Sequence, residues 1–268
     1  IQKQMPGQSG IVYCLSRKRV EDIAAFLCEN VLDAIAYHAG LSMDTRNENQ
    51  RRFTRDDGVI VVATVAFGMG IDKPDERFVA HLDMPQSVEH FYQESGRAGR
   101  DGLPAVSWLC YGLNDWVLLR ERIQQGERDE AQKQIDLQKL DSMLAICETA
   151  ACRRVLLLNH FGESSQPCGH CDNCRHPPTR FDGTELAQKL LSCAYRVGQT
   201  FATGHVIDVL RGKESDWVAR FKHQQLSTFG IGSTLSDKEW RSVARQCIAS
   251  GYLNIELSPR QALQLTDA

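Results

Sequence analysis

Five short apolar runs in the first 111 residues constrain this chain more than any other feature: residues 10–15 (GIVYCL), 33–38 (DAIAYH), 59–64 (VIVVAT), 78–83 (FVAHLD) and 105–111 (AVSWLCY). Between them, the segments near 17–29, 43–53 and 87–96 have helical spacing. Near-continuous apolar strands alternating with helices predict a parallel sheet covered on both faces. In such sheets ligands bind at the carboxyl ends of the strands, which directs attention to the loops after Leu15, His38, Thr64 and Asp83. The longest apolar run, residues 59–67, is far short of the ~20 residues of a membrane helix. The first residues, Ile-Gln-Lys-Gln, contain no signal region. A membrane protein and a secreted precursor are therefore excluded. A start without Met and an end on Thr-Asp-Ala read as a piece of a longer protein.

From about residue 113 the pattern turns wholly helical, with Leu137, Leu140, Leu144 and Ile146 near helical spacing and a further helix at 153–158. A cysteine- and proline-rich loop interrupts the chain, and helices resume at 184–196, 203–211 and 236–250. Short strands follow at 252–257 and 262–265. Three helices closed by a hairpin are the winged-helix pattern. The expected modules are thus an α/β parallel-sheet domain at 1–112, a helical subdomain at 113–182 and an α+β winged helix at 183–268. The net charge of −3 carries no basic footprint of a nucleic-acid binder. Split by module it is −3, −2 and +2, so the only positive share lies in the winged helix. A winged helix with so weak a positive share would bind a polyanion with modest affinity and a shallow salt dependence.

Ten cysteines could suggest disulfides, but Cys14, Cys28, Cys110, Cys193 and Cys247 sit singly in apolar stretches and read as small buried hydrophobes. A reduced compartment, cytosolic or nuclear, follows from that usage and the missing signal. Cys168-x2-Cys171-x2-Cys174 is different: three thiolates on one tight loop suit tetrahedral Zn²⁺. Cys147, His170 and His176 compete for the fourth position. Cys152 is preferred because it would begin a helix and tie that helix to the loop. Pro167-Cys168-x-x-Cys171 matches half of the zinc-deaminase signature, but no His-x-Glu occurs in the chain. Four cysteines leave no open position for water, so the expected zinc is structural.

The segment Gln93-Glu-Ser-Gly96-Arg97-Ala-Gly99-Arg100-Asp-Gly102 places two arginines three apart, on one face if the preceding helix continues. Converging guanidinium forks suit an anion with several oxygens. Upstream, Ala63-Thr64-Val65-Ala66-Phe67-Gly68-Met69-Gly70-Ile71-Asp72-Lys73-Pro74 follows a buried strand, with glycines able to present backbone N–H groups.

Together and in this order these segments resemble the second RecA-like domain of superfamily-two helicases, most closely the RecQ family of DNA helicases. Residues 13–17 (YCLSR) resemble motif IV, 63–74 motif V and 93–102 motif VI. Tyr37-His38-Ala39-Gly40-Leu41 and Arg46-x3-Gln50-x2-Phe53 are also similar to RecQ. Cys147-Glu148-Thr149, Cys152-Arg153-Arg154 and Phe161-Gly162-Glu163 before the cysteine loop resemble the RecQ zinc-binding subdomain, and the remainder its winged helix.

The resemblance implies that Arg97 and Arg100 contact an ATP triphosphate, Arg100 as the arginine finger, with Gln93, Gly70 and Asp72 lining the cleft. Asp72 stands where the family often has Asn. It further implies that Ser16, Arg17, His38 and Thr64 track the DNA backbone. A buried histidine with satisfied nitrogens is the competing reading for His38. In the winged helix, Asp237–Ala249 is the expected recognition helix, with Arg241 and Arg245 on one face. Ion pairs with Asp237 or Glu239 are the alternative there. The turn Gly230-Ile231-Gly232 could bring backbone N–H groups near a phosphate, and Arg260 stands at the wing tip. No Gly-x4-Gly-Lys-[Ser/Thr] and no Asp-Glu-x-His occurs, so these residues hold half an ATP–Mg²⁺ site. The expected parent couples ATP hydrolysis to 3′-to-5′ DNA unwinding as a monomer, and the piece alone is inactive. The rival is a non-enzymatic zinc and winged-helix DNA adaptor; an RNA helicase would lack the zinc loop and winged helix.

Overall fold

The computed structural model describes residues 5–64, 67, 73–256 and 261–266. Gly68, Gly70, Asp72 and the wing tip with Arg260 lie outside the described residues. The chain divides into two compact units at Trp116/Val117.

In the first unit, strands β1 (Gly10–Tyr13), β2 (Ala34–Tyr37), β3 (Ile60–Ala63), β4 (Phe78–His81) and β5 (Val106–Leu109) form one parallel sheet in the order β2-β3-β1-β4-β5. Helices α1 (Arg17–Glu29), α2 (Met43–Arg55) and α3 (Val88–Ser95) fill the crossovers. Each begins at a serine whose hydroxyl accepts a backbone N–H three residues on: Ser16 from Arg19, Ser42 from Thr45, Ser87 from His90. Such caps satisfy donors that the first helical turn leaves orphaned. Ile11, Val61, Val79, Phe53 and Phe67 pack in one cluster, and Val12, Val20, Ile60, Val62 and Phe78 in another. Alternate residues of β1–β4 enter different clusters because successive side chains point to opposite faces. Strand β5 departs from expectation: it is an edge strand whose Val106 and Trp108 are exposed. The strands also end one or two residues before the apolar runs do.

The second unit continues from α4 (Leu113–Gln125) into α5 (Glu130–Glu148), α6 (Arg153–His160) and α7 (Asp172–Arg175). Helices α8 (Thr184–Arg196), α9 (Thr203–Arg211), α10 (Asp216–Arg220) and α11 (Asp237–Ala249) follow, with the antiparallel pair β6 (Leu253–Ile255) and β7 (Leu263–Leu265). Leu190, Cys193, Val206, Leu210, Trp240, Ile248 and Leu263 make the winged-helix core. A full capping box, Ser236 with Glu239, opens α11.

Of the five lone cysteines, Cys14, Cys193 and Cys247 are buried, but Cys28 and Cys110 are exposed. Cys28 lies in the last turn of α1 and Cys110 just past the edge strand, where the apolar pattern has run beyond the packed face. Among the described residues, no helix is long and apolar enough to cross a membrane.

Candidate functional sites: a four-cysteine centre and an arginine loop

The four cysteines expected to hold zinc lie together. The Sγ atoms of Cys152, Cys168, Cys171 and Cys174 all lie within 4.8 Å of one another, with Cys152 and Cys171 at 3.9 Å. A tetrahedron of ~2.3 Å Zn–S bonds needs sulfurs about 3.8 Å apart. Backbone N–H groups turn inward, from Cys168 to the Cys152 sulfur (3.3 Å), and from His170 (3.4 Å) and Cys171 (3.3 Å) to the Cys168 sulfur. Cys152 occupies the N-cap of α6, where the helix end favours negative charge. Burial raises its thiol, but N–H donation from Cys168 and Val155 together with hydrogen bonds from the Cys168 and Cys174 thiols outweighs this and brings it down to about 6. Four such sulfurs fit Zn²⁺ and leave no position for water; the zinc is structural. Cys147 stays outside the cluster, its thiol pushed up to about 12 by burial.

A polar frame holds the loop. Arg153 donates to both carboxylate oxygens of Asp172 (2.7 and 2.8 Å) and to the carbonyls of Ile146 and Cys147. Asn173 donates to Thr149 and Ala151. The zinc loop is thus stitched to the C-terminal end of α5. One residue on that end, Glu148, reaches α11: its carboxylate meets Arg245 (3.1 Å) and the Gln246 amide (3.0 Å).

The arginine loop differs from a continued helix. α3 ends at Ser95, and residues 96–102 form turns. The Gly99 N–H donates to the Glu76 carbonyl (2.8 Å) and the Asp101 N–H to that of Pro74 (3.2 Å). The Arg77 guanidinium holds both Asp101 oxygens at 2.7 Å and also donates to Pro74, Asp75 and Pro104 carbonyls. Those bonds keep the Asp101 carboxyl below its ordinary range. Gly99 has φ +74°, and a Cβ there would lie 2.9 Å from the Leu103 oxygen, so only glycine fits. Arg97 is half-buried and Arg100 exposed, as is Gln93. The loop therefore packs on the residues entering β4 and β5, at their amino ends rather than the carboxyl ends.

Beneath it lies an ionisable cluster. Glu76 is 1% exposed and its Oε2 has no hydrogen-bond partner among the described residues. Burial pushes its carboxyl up to about 7, against the pull of Arg97, Arg100 and Lys73. Burial also raises the Tyr13 phenol, again against Arg97. His81 meets Glu94 at 2.8 Å, with both side chains buried, and its ring stacks on Tyr13.

Ser16, Arg17, His38 and Thr64 gather at the carboxyl ends of three neighbouring strands, β1, β2 and β3. Ser16 and Arg17 are exposed, and Thr64 is half-buried. Asp83 accepts the Leu15 N–H (2.8 Å) and pairs with Arg19 (2.8 Å), fixing the turn that presents them. His38 is different. It is 3% exposed, its Nδ1 accepts from the Gly40 N–H (3.2 Å), and its Nε2 therefore donates to Glu21 (3.1 Å). Both nitrogens are engaged inside the protein, so this imidazole shapes the loop and has no free donor for a phosphate.

In the winged helix, Arg241 pairs with Asp237 at 2.6 Å on an exposed face. The N–H groups of Gly230 and Gly232 donate to Val209 and Leu210 carbonyls, so that turn does not offer them to a phosphate. Gly232 is required instead because a Cβ would lie 2.5 Å from the Trp240 ring. Sequence reasoning missed Glu76, Arg77, His81, Asp83, Glu94 and Glu148. The available signal was an ionisable residue inside or bordering an apolar run.

Three family profiles tile the chain: helicase conserved C-terminal domain at residues 1–102, RecQ zinc-binding at 113–175 and RQC domain at 177–268. The ATP-dependent DNA helicase RecQ of Haemophilus influenzae is 46% identical over 98% of this chain and 42% of that protein. RecQ of Bacillus subtilis is 42% identical over 84% of the chain and 38% of that protein. The RecQ-like DNA helicase blm-1 of Caenorhabditis elegans is 36% identical over 96% and 28%. The chain thus spans less than half the length of these relatives. With the sulfur tetrahedron, the parallel sheet and the winged helix in the order of these profiles, the chain belongs to the RecQ family.

Proposed function

We propose that this chain is the C-terminal part of the catalytic core of a RecQ-type DNA helicase, which couples ATP hydrolysis to 3′-to-5′ unwinding in repair and recombination. The observation that carries the reading is the arginine loop: two guanidinium groups on a turn clamped by Arg77 and Asp101. A held, outward fork suits a triphosphate, because charge developing on the γ-phosphoryl group is stabilised by donors already in place. Arg100, exposed, is the finger; Arg97 sits deeper beside Tyr13 and Glu76 and orients the loop as well as the nucleotide. Gln93, exposed two residues before the end of α3, contributes to the same nucleotide site; Gly70 and Asp72, assigned to it by the resemblance, lie outside the described residues. The phosphate-cradling loop and the Mg²⁺ carboxylate would come from another RecA-like domain.

The modules are 1–112, 113–182 and 183–268. Single-stranded DNA runs over Ser16, Arg17 and Thr64 at the carboxyl ends of the strands. Duplex DNA docks on the winged helix through Arg241, with Arg260, which lies outside the described residues, as a further contact. Arg245 is committed to Glu148 and contributes by orienting α11. The protein works as a monomer on DNA in the cytoplasm, or in the nucleus of a eukaryote. The test compares this chain alone with the same chain joined to an ATP-binding RecA-like domain, on a forked duplex with and without ATP. Unwinding and DNA-stimulated ATPase only in the joined protein support the proposal. ATPase in the chain alone, or none in either, overturns it.

A further inference from the structure

The winged helix carries an organised aromatic surface apart from the zinc centre and the arginine loop. Trp217 and Phe221 are one helical turn apart at the end of α10 and are 54% and 42% exposed. Their rings are 16° from parallel with centroids 5.6 Å apart. The Arg220 guanidinium lies 5.8 Å from each ring centroid. This is not a loose pair of surface side chains. Phe221 meets the edge of Phe201 (4.9 Å, 78°), Phe201 stacks on His205 (4.3 Å, 23°), and His205 bonds to the buried His223 at 2.8 Å. The Phe201 carbonyl accepts the Leu263 N–H at 2.8 Å, which anchors the stack to the wing strand β7. Water-exposed aromatic area is unfavourable, so holding it in one orientation on the half-buried Phe201 and His205, backed by the buried His223, points to a flat apolar ligand.

Charge selects the ligand class. Residues 211–222 carry Arg211, Lys213, Arg220 and Lys222 against Glu214 and Asp216, and all but Arg211 are exposed. Parallel rings with a central guanidinium accept the π-face of any base, while flanking cations meet the phosphates. We infer that Trp217 and Phe221, with Arg220, form a stacking platform for unpaired bases of single-stranded DNA beside the wing. The inference rests on the DNA-binding reading above, and deepens it by separating a base-stacking patch from phosphate contacts on α11.

The experiment measures binding of this chain to twelve-nucleotide oligothymidylate and to an abasic strand of the same length, with a blunt duplex as the control. Both strands carry the same phosphates, so only stacking distinguishes them. A stacked base contributes roughly five- to hundredfold in affinity. Wild-type chain should prefer oligothymidylate by about tenfold, W217L should abolish the preference while leaving abasic and duplex affinity unchanged, and W217F should retain most of it. An unchanged thymidine-to-abasic ratio in W217L, with DNA binding intact, overturns the platform and assigns the surface to a protein partner. Equal loss on both strands also overturns it. Failure of wild type to bind any of the three DNAs overturns the DNA-binding reading itself.

Discussion

Glu76→Gln should stabilise the first unit at alkaline pH and flatten its pH dependence. Glu76 is buried behind the arginine loop, with one carboxylate oxygen unpartnered among the described residues. Its carboxyl rises from 4.5 to about 7, chiefly through burial, which Arg97, Arg100 and Lys73 offset only in part. The folded chain therefore keeps this proton up to about pH 7, whereas the unfolded chain releases it near 4.5. Stability from the protonated form is fully present below the lower value and is lost as pH rises through the upper one. Each pH unit between them is worth ~1.4 kcal/mol, so the whole loss is about 3 kcal/mol. Glutamine matches the neutral acid in size and cannot ionise, so the variant should gain about 3 kcal/mol at pH 8 and little at pH 4.5. Urea unfolding, read from methyl resonances of the wholly buried Val61 and Val79, reports this unit alone. Parallel stability-against-pH curves for the two proteins would instead mean that Glu76 is ionised at no cost in the fold.

Cys171→Ser should lower bound zinc well below one equivalent by atomic absorption and lower the melting temperature by on the order of 10 °C, since structural zinc binding is folding free energy. Unchanged metal content and melting would count against the four-sulfur site. Glu148→Ala removes the carboxylate that joins Arg245 and Gln246 of α11 to α5, and should cost about 2 kcal/mol. A double-mutant cycle with Arg245→Ala should return a coupling of about 1 kcal/mol, discounted because Arg245 keeps 38% exposure. Strict additivity would mean the tether does nothing. Arg100→Ala in the joined protein should reduce ATP turnover by about 10³-fold or more with DNA affinity retained; equal loss of both would remove it as the finger.

Periodicity alone located all five parallel strands and the winged-helix hairpin, because burial on both faces writes a continuous apolar run and a helix writes a 3.6-residue stripe. Cysteine spacing likewise located the zinc centre, because a metal imposes its own short-range geometry on the chain. What periodicity could not supply was where each apolar run stops being strand. The last one or two residues of each run turn into the loops that bear Ser16, His38 and Thr64, and their hydrophobicity does not report that change. Nor could it distinguish a presented side chain from a committed one. Glu21 and Gly40 take both nitrogens of His38, Glu148 takes Arg245, and Val209 and Leu210 take the glycine N–H groups.

The arginine loop draws the same line. Residue order alone places two arginines three apart after a helix, near a glycine that tolerates φ > 0. Three-dimensional contacts end the helix before them, bring in Arg77 from 20 or more residues away in sequence to clamp their turn, and put Glu76 beneath. The difference is one of range. Helical stripes, strand runs and metal-ligand spacings arise from neighbours along the chain, whereas burial of a charge and choice of its partner depend on which distant segments the fold brings into contact.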